Sequence, residues 1–153
     1  MVRNFYRCKA CGHEWMDVWS ATCEDDCPQC GARHMSPYES DDVDDPDKPG
    51  RIRELNDKLR TTFTGGKVFM TTGVAALPEN VRADVLQRVR IFDRFDGAND
   101  PHREHDFGAF EIQGDRFFWK IDYYTPDFTG GSEDPSDPEQ TTRVLTIMLA
   151  TEY

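Results

Sequence analysis

Two cysteine pairs, Cys8-Lys9-Ala10-Cys11 and Cys27-Pro28-Gln29-Cys30, constrain this chain more than anything else in it. Their spacing, C-x2-C-x15-C-x2-C, falls in the range expected of a four-thiolate zinc site. Thiolates three residues apart reach one ion when the backbone turns tightly between them. Gly12 and Gly31, each directly after a pair, supply the φ freedom for that turn, and Pro28 fixes φ inside the second pair. A module of this length buries too little apolar surface to fold alone, so metal binding becomes its folding energy. Four sulfur ligands close the coordination sphere, which makes the ion structural. The expected ligands are Cys8, Cys11, Cys27 and Cys30 around one zinc ion.

Iron in a rubredoxin-like site is the competing assignment, although the link between the pairs is short for it. A haem attachment fails because His13 does not directly follow Cys11. Cys23 is left over as a free or buried thiol, and His13 and His34 are expected at the surface. Trp15 and Trp19 are expected to pack within the module. The pairs are better explained as ligands than as disulfides in a reducing compartment. No apolar signal segment precedes the first pair and no run approaches the roughly 20 apolar residues of a spanning helix. The expectation is a soluble cytoplasmic protein.

The module is expected over residues 1–38. Residues 39–50 then carry six acidic groups, one basic group and two prolines, which reads as a solvated acidic linker. The rest, residues 51–153, is expected to form an α+β domain: a compact antiparallel sheet with two helices. Ile52, Leu55 and Leu59 recur at helical spacing, and Pro78 opens a second helix with Val81, Val85 and Val89 on one face. Lys67–Thr72 reads as a strand. Gly65-Gly66-Lys67 lacks the flanking residues of a phosphate loop.

A hairpin follows, with strands near Asp106–Gln113 and Arg116–Tyr124 around a Gly114-Asp115 turn, so that Gln113 faces Arg116. Alternation then puts Gly108, Phe110, Ile112, Phe117, Trp119 and Ile121 on a core face. The other face receives His105, Lys120, Asp122 and Tyr124, beside a loop that carries Asp100, His102, Glu104 and Asp106. These eight residues are the candidate functional face, with metal chelation or acid/base work as its possible chemistry. Residues 125–142 read as loop, and the nearly continuous apolar run Arg143–Ala150 as a central strand.

The blocks GKVFMTTGVAALP, NDPHREHDFGAFE, FFWKIDYYTPD and TTRVLTIMLATEY resemble a family of short bacterial proteins defined only as a domain of unknown function. The resemblance covers residues 51–153 and implies an association with bacterial chromosomes, plasmids and phages, but no catalytic residue. The strings CGHEW, CPQCG and PYESDD resemble a small zinc ribbon. The leading expectation is a binding protein that contacts a protein partner, a basic one given the net charge of −11. An anti-defence or regulatory role is a sub-case of it. A metal-dependent hydrolase built on His102, His105 and Asp106 is one alternative, with Asp122 in support. A nucleic-acid-binding ribbon using Arg3, Arg7, Lys9 and Arg33 is another, and the net charge disfavours it.

Overall fold

The computed structural model describes residues Met1–Tyr153, which divide into two compact units, Met1–Pro46 and Asp47–Tyr153. In the first unit, β1 (Val2–Arg7) and β2 (Glu14–Trp19) form an antiparallel hairpin whose turn is the first cysteine pair. A third strand, β3 (Glu39–Asp42), pairs antiparallel with the other edge of β1. Four residues expected in the acidic linker are therefore sheet. The free edge of β1 offers them backbone partners, and side chains reinforce the pairing. Arg3 grips both carboxylate oxygens of Asp41, and Ser40 Oγ donates to Asn4 Oδ1 at 2.6 Å.

Trp15 packs as expected, stacked 5.0 Å from Tyr6 with its indole N–H on Asp25, while Trp19 stays 43% exposed.

In the second unit, helix α1 (Lys48–Thr62) starts earlier than the expected boundary at Arg51. Pro49 does not block it because a proline in the first helical turn gives up only an amide that has no intrahelical acceptor. Strand β4 (Lys67–Met70) follows, then a single-turn helix α2 (Thr72–Ala75) and α3 (Glu79–Arg90). The remaining strands are β5 (Phe107–Ile112), β6 (Asp115–Tyr124) and β7 (Thr142–Leu149), ending in a short 3-10 turn at Ala150–Glu152. The unit is α+β as expected, with two corrections. There is a third, short helix, and the sheet is mixed, in the order β4-β7-β6-β5, with β4 parallel to β7. Close passage of the chain into β4 depends on Gly66, where a Cβ would lie 2.6 Å from the Arg143 carbonyl oxygen.

The hairpin turn is Gln113-Gly114, not Gly114-Asp115, because Ile112 faces Asp115 and Glu111 faces Arg116. Both turn residues have positive φ, 53° and 85°, the backbone of a type I′ turn. Moving the turn by one residue changes each pairing by two, so side-chain parity is kept and the two faces survive. Phe117, Trp119 and Ile121 are buried against Leu59 of α1 and Val85 and Val89 of α3. β7 is central and apolar as its sequence indicates, with Leu145 and Ile147 in the same core.

Trp119 is the largest fully buried side chain, and Gly108 on the neighbouring strand lies against its ring. A Cβ at Gly108 would sit 2.3 Å from the indole nitrogen and 2.8 Å from Phe92. Gly108→Ala is therefore expected to destabilise the protein by roughly 1–3 kcal/mol through overpacking. Urea unfolding followed by tryptophan fluorescence measures this, and an unchanged midpoint would refute the packing role.

Candidate metal centre and the histidine cluster

The two cysteine knuckles are built alike. Cys8 N–H donates to the His13 carbonyl and Gly12 N–H to the Cys8 carbonyl, both at 2.8 Å. Cys27 repeats this with Ala32 at 2.8 Å and Gly31 at 2.9 Å. Gly12 and Gly31 have φ of 75° and 72°, the left-handed turn inferred from their positions. All four sulfurs lie within 4.8 Å of one another, with Cys8 Sγ 3.5 Å from Cys30 Sγ and Cys11 Sγ 3.7 Å from Cys27 Sγ. A disulfide needs about 2.05 Å. A tetrahedron of thiolates around an ion with metal–sulfur bonds of about 2.3 Å gives sulfur spacings of about 3.8 Å. The donor set therefore fits one tetrahedral metal ion.

Its electrostatics agree. The Cys8 thiol is drawn down to about 6, chiefly by the Cys11 backbone amide. Cys30 is pushed up to about 12, because the pull of the Ala32 amide is outweighed by the Cys8 and Cys11 sulfurs. Four sulfurs this close do not ionise together without a cation between them. Cys23 lies outside the set, with its carbonyl accepting from Tyr6 Oη at 2.9 Å. His13 stacks on Trp15, and exposed His34 faces Glu24. Of the cations considered for nucleic acid, Arg3 is paired with Asp41, and Arg7 with Glu14 while lying over Tyr38.

The eight residues of the expected functional face do not share one face. Strand β5 begins only at Phe107, and His105 has φ of 55°, so alternation does not extend back to it. Its ring turns to the helical side and stacks on Phe95 at 3.6 Å. His105 Nδ1 lies 3.0 Å from both carboxylate oxygens of Asp57 in α1, and Nε2 lies 3.7 Å from Asp100 Oδ2. Asp100 is buried, and its Oδ1 accepts the backbone amides of Glu104 at 2.9 Å and His105 at 3.1 Å. Asp57 also holds Arg60 at 2.9 Å, and the Arg60 guanidinium lies over the Phe95 and Trp119 rings. The result is a continuous chain of polar contacts, Arg60–Asp57–His105–Asp100, at a concavity of about 490 Å³ rimmed by Arg53 and Arg103.

Lys120 and Asp122 lie on the other side of the sheet, paired with each other at 2.9 Å near Tyr124. The Asp122 carboxylate holds the Lys120 ammonium above its usual range. His102 is exposed in the loop and does not come together with His105 and a carboxylate at ligating distance; the cysteines are the cluster that does.

A second buried polar group was not foreseen. Asn56 Nδ2 donates to Tyr123 Oη at 2.7 Å and to the Glu104 carbonyl at 2.9 Å, and Tyr123 Oη donates to Glu104 Oε2 at 3.1 Å. Arg143 Nε donates to Asn56 Oδ1 at 2.9 Å. Burial raises the Tyr123 hydroxyl and the Glu104 carboxyl and lowers the Arg143 guanidinium. Asp106 is likewise raised by burial. The one sequence signal for this group is that the buried positions of α1 are Ile52, Asn56, Leu59 and Arg60, at helical spacing, two of them polar.

Fold and site together define an α+β protein that carries a four-cysteine metal module of the zinc-ribbon kind. Residues 70–152 match a family model described as "Protein of unknown function (DUF3768)", and the chain belongs to that family. The match is shorter than the expected 51–153, so α1, with Asn56, Asp57 and Arg60, lies outside it. No curated protein and no solved structure matches the chain. No helix is long and apolar enough to cross a membrane.

Two consequences are measurable. Asp57→Ala leaves the buried Arg60 guanidinium without its carboxylate and is expected to cost roughly 3 kcal/mol in urea unfolding. An unchanged stability would remove Asp57 from the cluster's support. Glu104 titrates above its unfolded value, so its ionisation weakens the fold. Its contribution is fully present below the unfolded pKa and is lost as pH rises through the folded one. Glu104→Gln keeps an acceptor for Tyr123. It is expected to unfold at higher urea than the native chain at neutral pH, with the gap closing near pH 4. A native chain that is the more stable at pH 7 would contradict this.

Proposed function

We propose that this protein is a zinc-stabilised interaction protein of a reducing, cytoplasmic compartment. The observation that carries the reading is the closed set of four cysteine sulfurs within 4.8 Å, which leaves a bound ion no position for substrate. Zinc suits such a set because it is tetrahedral by preference and redox-inert. The ion's task is then mechanical. It ties the two knuckles together and holds the three-stranded sheet beside them. That sheet displays Met16, Trp19 and Tyr38, all more than 40% exposed, on a unit with ten acidic and four basic side chains. Exposed aromatic and methionine side chains with surrounding negative charge suit a basic protein partner. A regulatory or anti-defence role in mobile-element biology is the setting the family resemblance favours.

The polar groups of the second unit support the same reading. His105, Asp57 and Asp100 are engaged with one another and with backbone amides, as residues that lock a loop to a helix are.

Metal analysis of the purified chain is expected to give one zinc per molecule. Cys8→Ser is expected to release it and unfold the first unit, while the tryptophan signal of the second persists. Iron, or a variant that keeps its full metal, would overturn the zinc assignment. A second metal equivalent lost in His102→Ala or His105→Ala would favour the hydrolase over the interaction protein.

A further inference from the structure

The sheet of the second unit ends at β5, whose outer edge has no strand partner. Exposed edges of this kind are ordinarily guarded by lysine, proline, a bulge or extreme shortness. The opposite edge strand, β4, is four residues long and opens with Lys67. Strand β5, Phe-Gly-Ala-Phe-Glu-Ile, is six residues long with Glu111 its one charge. A concavity of about 560 Å³ runs along this edge beside the C-terminal end of α3. Its apolar wall includes Phe110 and Ile91, and Ile91 is 60% exposed.

Arg88, Arg94 and Arg116 line the same concavity. Several arginines elsewhere in this unit are tied down: Arg60 to Asp57, Arg82 to the Ala75 carbonyl, Arg90 over Phe63 and Arg143 to Asn56. Arg88 and Arg94 form no ion pair, and Arg116 touches only the Phe118 ring, at 5.5 Å. Three uncommitted guanidinium groups around one unguarded strand edge stand out in a chain of net charge −11.

We propose that the β5 edge is a docking site for an extended acidic segment of a partner protein, which adds as a fifth strand and sets an apolar side chain over Ile91. Backbone hydrogen bonds to β5 supply affinity, and carboxylates opposite the three arginines supply selectivity. A second copy of this chain is the poorer occupant, because pairing β5 with β5 about a two-fold axis brings the same arginines face to face. A nucleic acid is poorer too, since the wall is apolar and the chain as a whole repels a polyanion. Asp93 and Glu111 also line the concavity and work against an acidic guest. This site is separate from the acidic surface of the first unit and does not depend on how that surface is used.

The test is fluorescence polarisation of the full zinc-loaded chain with a labelled octapeptide of alternating Glu and Val at low salt. Saturable binding is expected, weakening with salt, with loss of about tenfold or more in affinity for the Arg88→Glu/Arg94→Glu double variant and a gain for Asp93→Asn. Amide hydrogen exchange is expected to slow within residues 107–112 when the peptide is bound. Circular dichroism of each variant checks that the fold is kept. Absence of saturation, equal affinity in the double variant, unchanged exchange in β5, or equal binding of a Lys/Val octapeptide would overturn the proposal. So would tighter binding of a single-stranded oligonucleotide, or self-association that excludes the peptide.

Discussion

A guanidinium in the middle of a sheet needs acceptors, and the arrangement of the second unit follows from where Arg143 finds them. Its Nε reaches Asn56 on α1, and its terminal nitrogen reaches the Pro135 carbonyl in the loop before β7. With those bonds made, α1 has one place over the sheet. Asn56 then spends its amide on Tyr123 and on the Glu104 carbonyl, which anchors the loop ahead of β5. Arg143, Asn56 and Tyr123 each donate to a partner in or beside this group, so loss of a member strands another in a buried site. Leu59, Val85 and Val89 pack the helices against the sheet, but non-directional burial would tolerate several placements of the helix. The polar contacts choose among them.

Next along α1, Asp57 and, one turn on from Asn56, Arg60 do similar work for the segment from Phe95 to His105. Arg60 caps the end of α3 by donating to the carbonyls of Val89 and Arg90, at 3.0 and 3.1 Å. Asp57 links that guanidinium to His105, and Asp100 holds the far side of the ring. Helix α1, which lies outside the family's matched segment, is thus the element that ties down both the loop ahead of β5 and the loop ahead of β7. The family segment and the helix before it lie in one compact unit.

How much of this was legible depended on the range of the interaction. The metal knuckles were readable because their chemistry is local: the spacing and the following glycines are both in the string. The hairpin was readable because parity survives an error in the turn, so Phe117, Trp119 and Ile121 fell on the core face even with the turn misplaced by one residue. The central position of β7 showed in its unbroken apolar run. The parallel partnership of β4 did not, because strand direction is set by a connection that spans most of the unit. The strand at Glu39–Asp42 was hidden by its charge, since Asp41 is paired there with Arg3, 38 residues away. His105 was misplaced for a simple reason: alternation holds for extended backbone, and its positive φ ends that rule two residues before the strand begins.

The two cysteines of each knuckle do not share one environment. Cys8 and Cys27 are buried, while Cys11 and Cys30 face solvent. The ion would therefore be gripped from one side and presented on the other. Oxidants, competing thiols and chelators meet the outer pair of sulfurs first. Removing those two leaves a bidentate remnant too weak to keep the knuckles together. With an ion held there, the stability of the first unit would be a property of the surrounding redox chemistry as much as of the chain, and its lifetime would shorten wherever that chemistry turns oxidising.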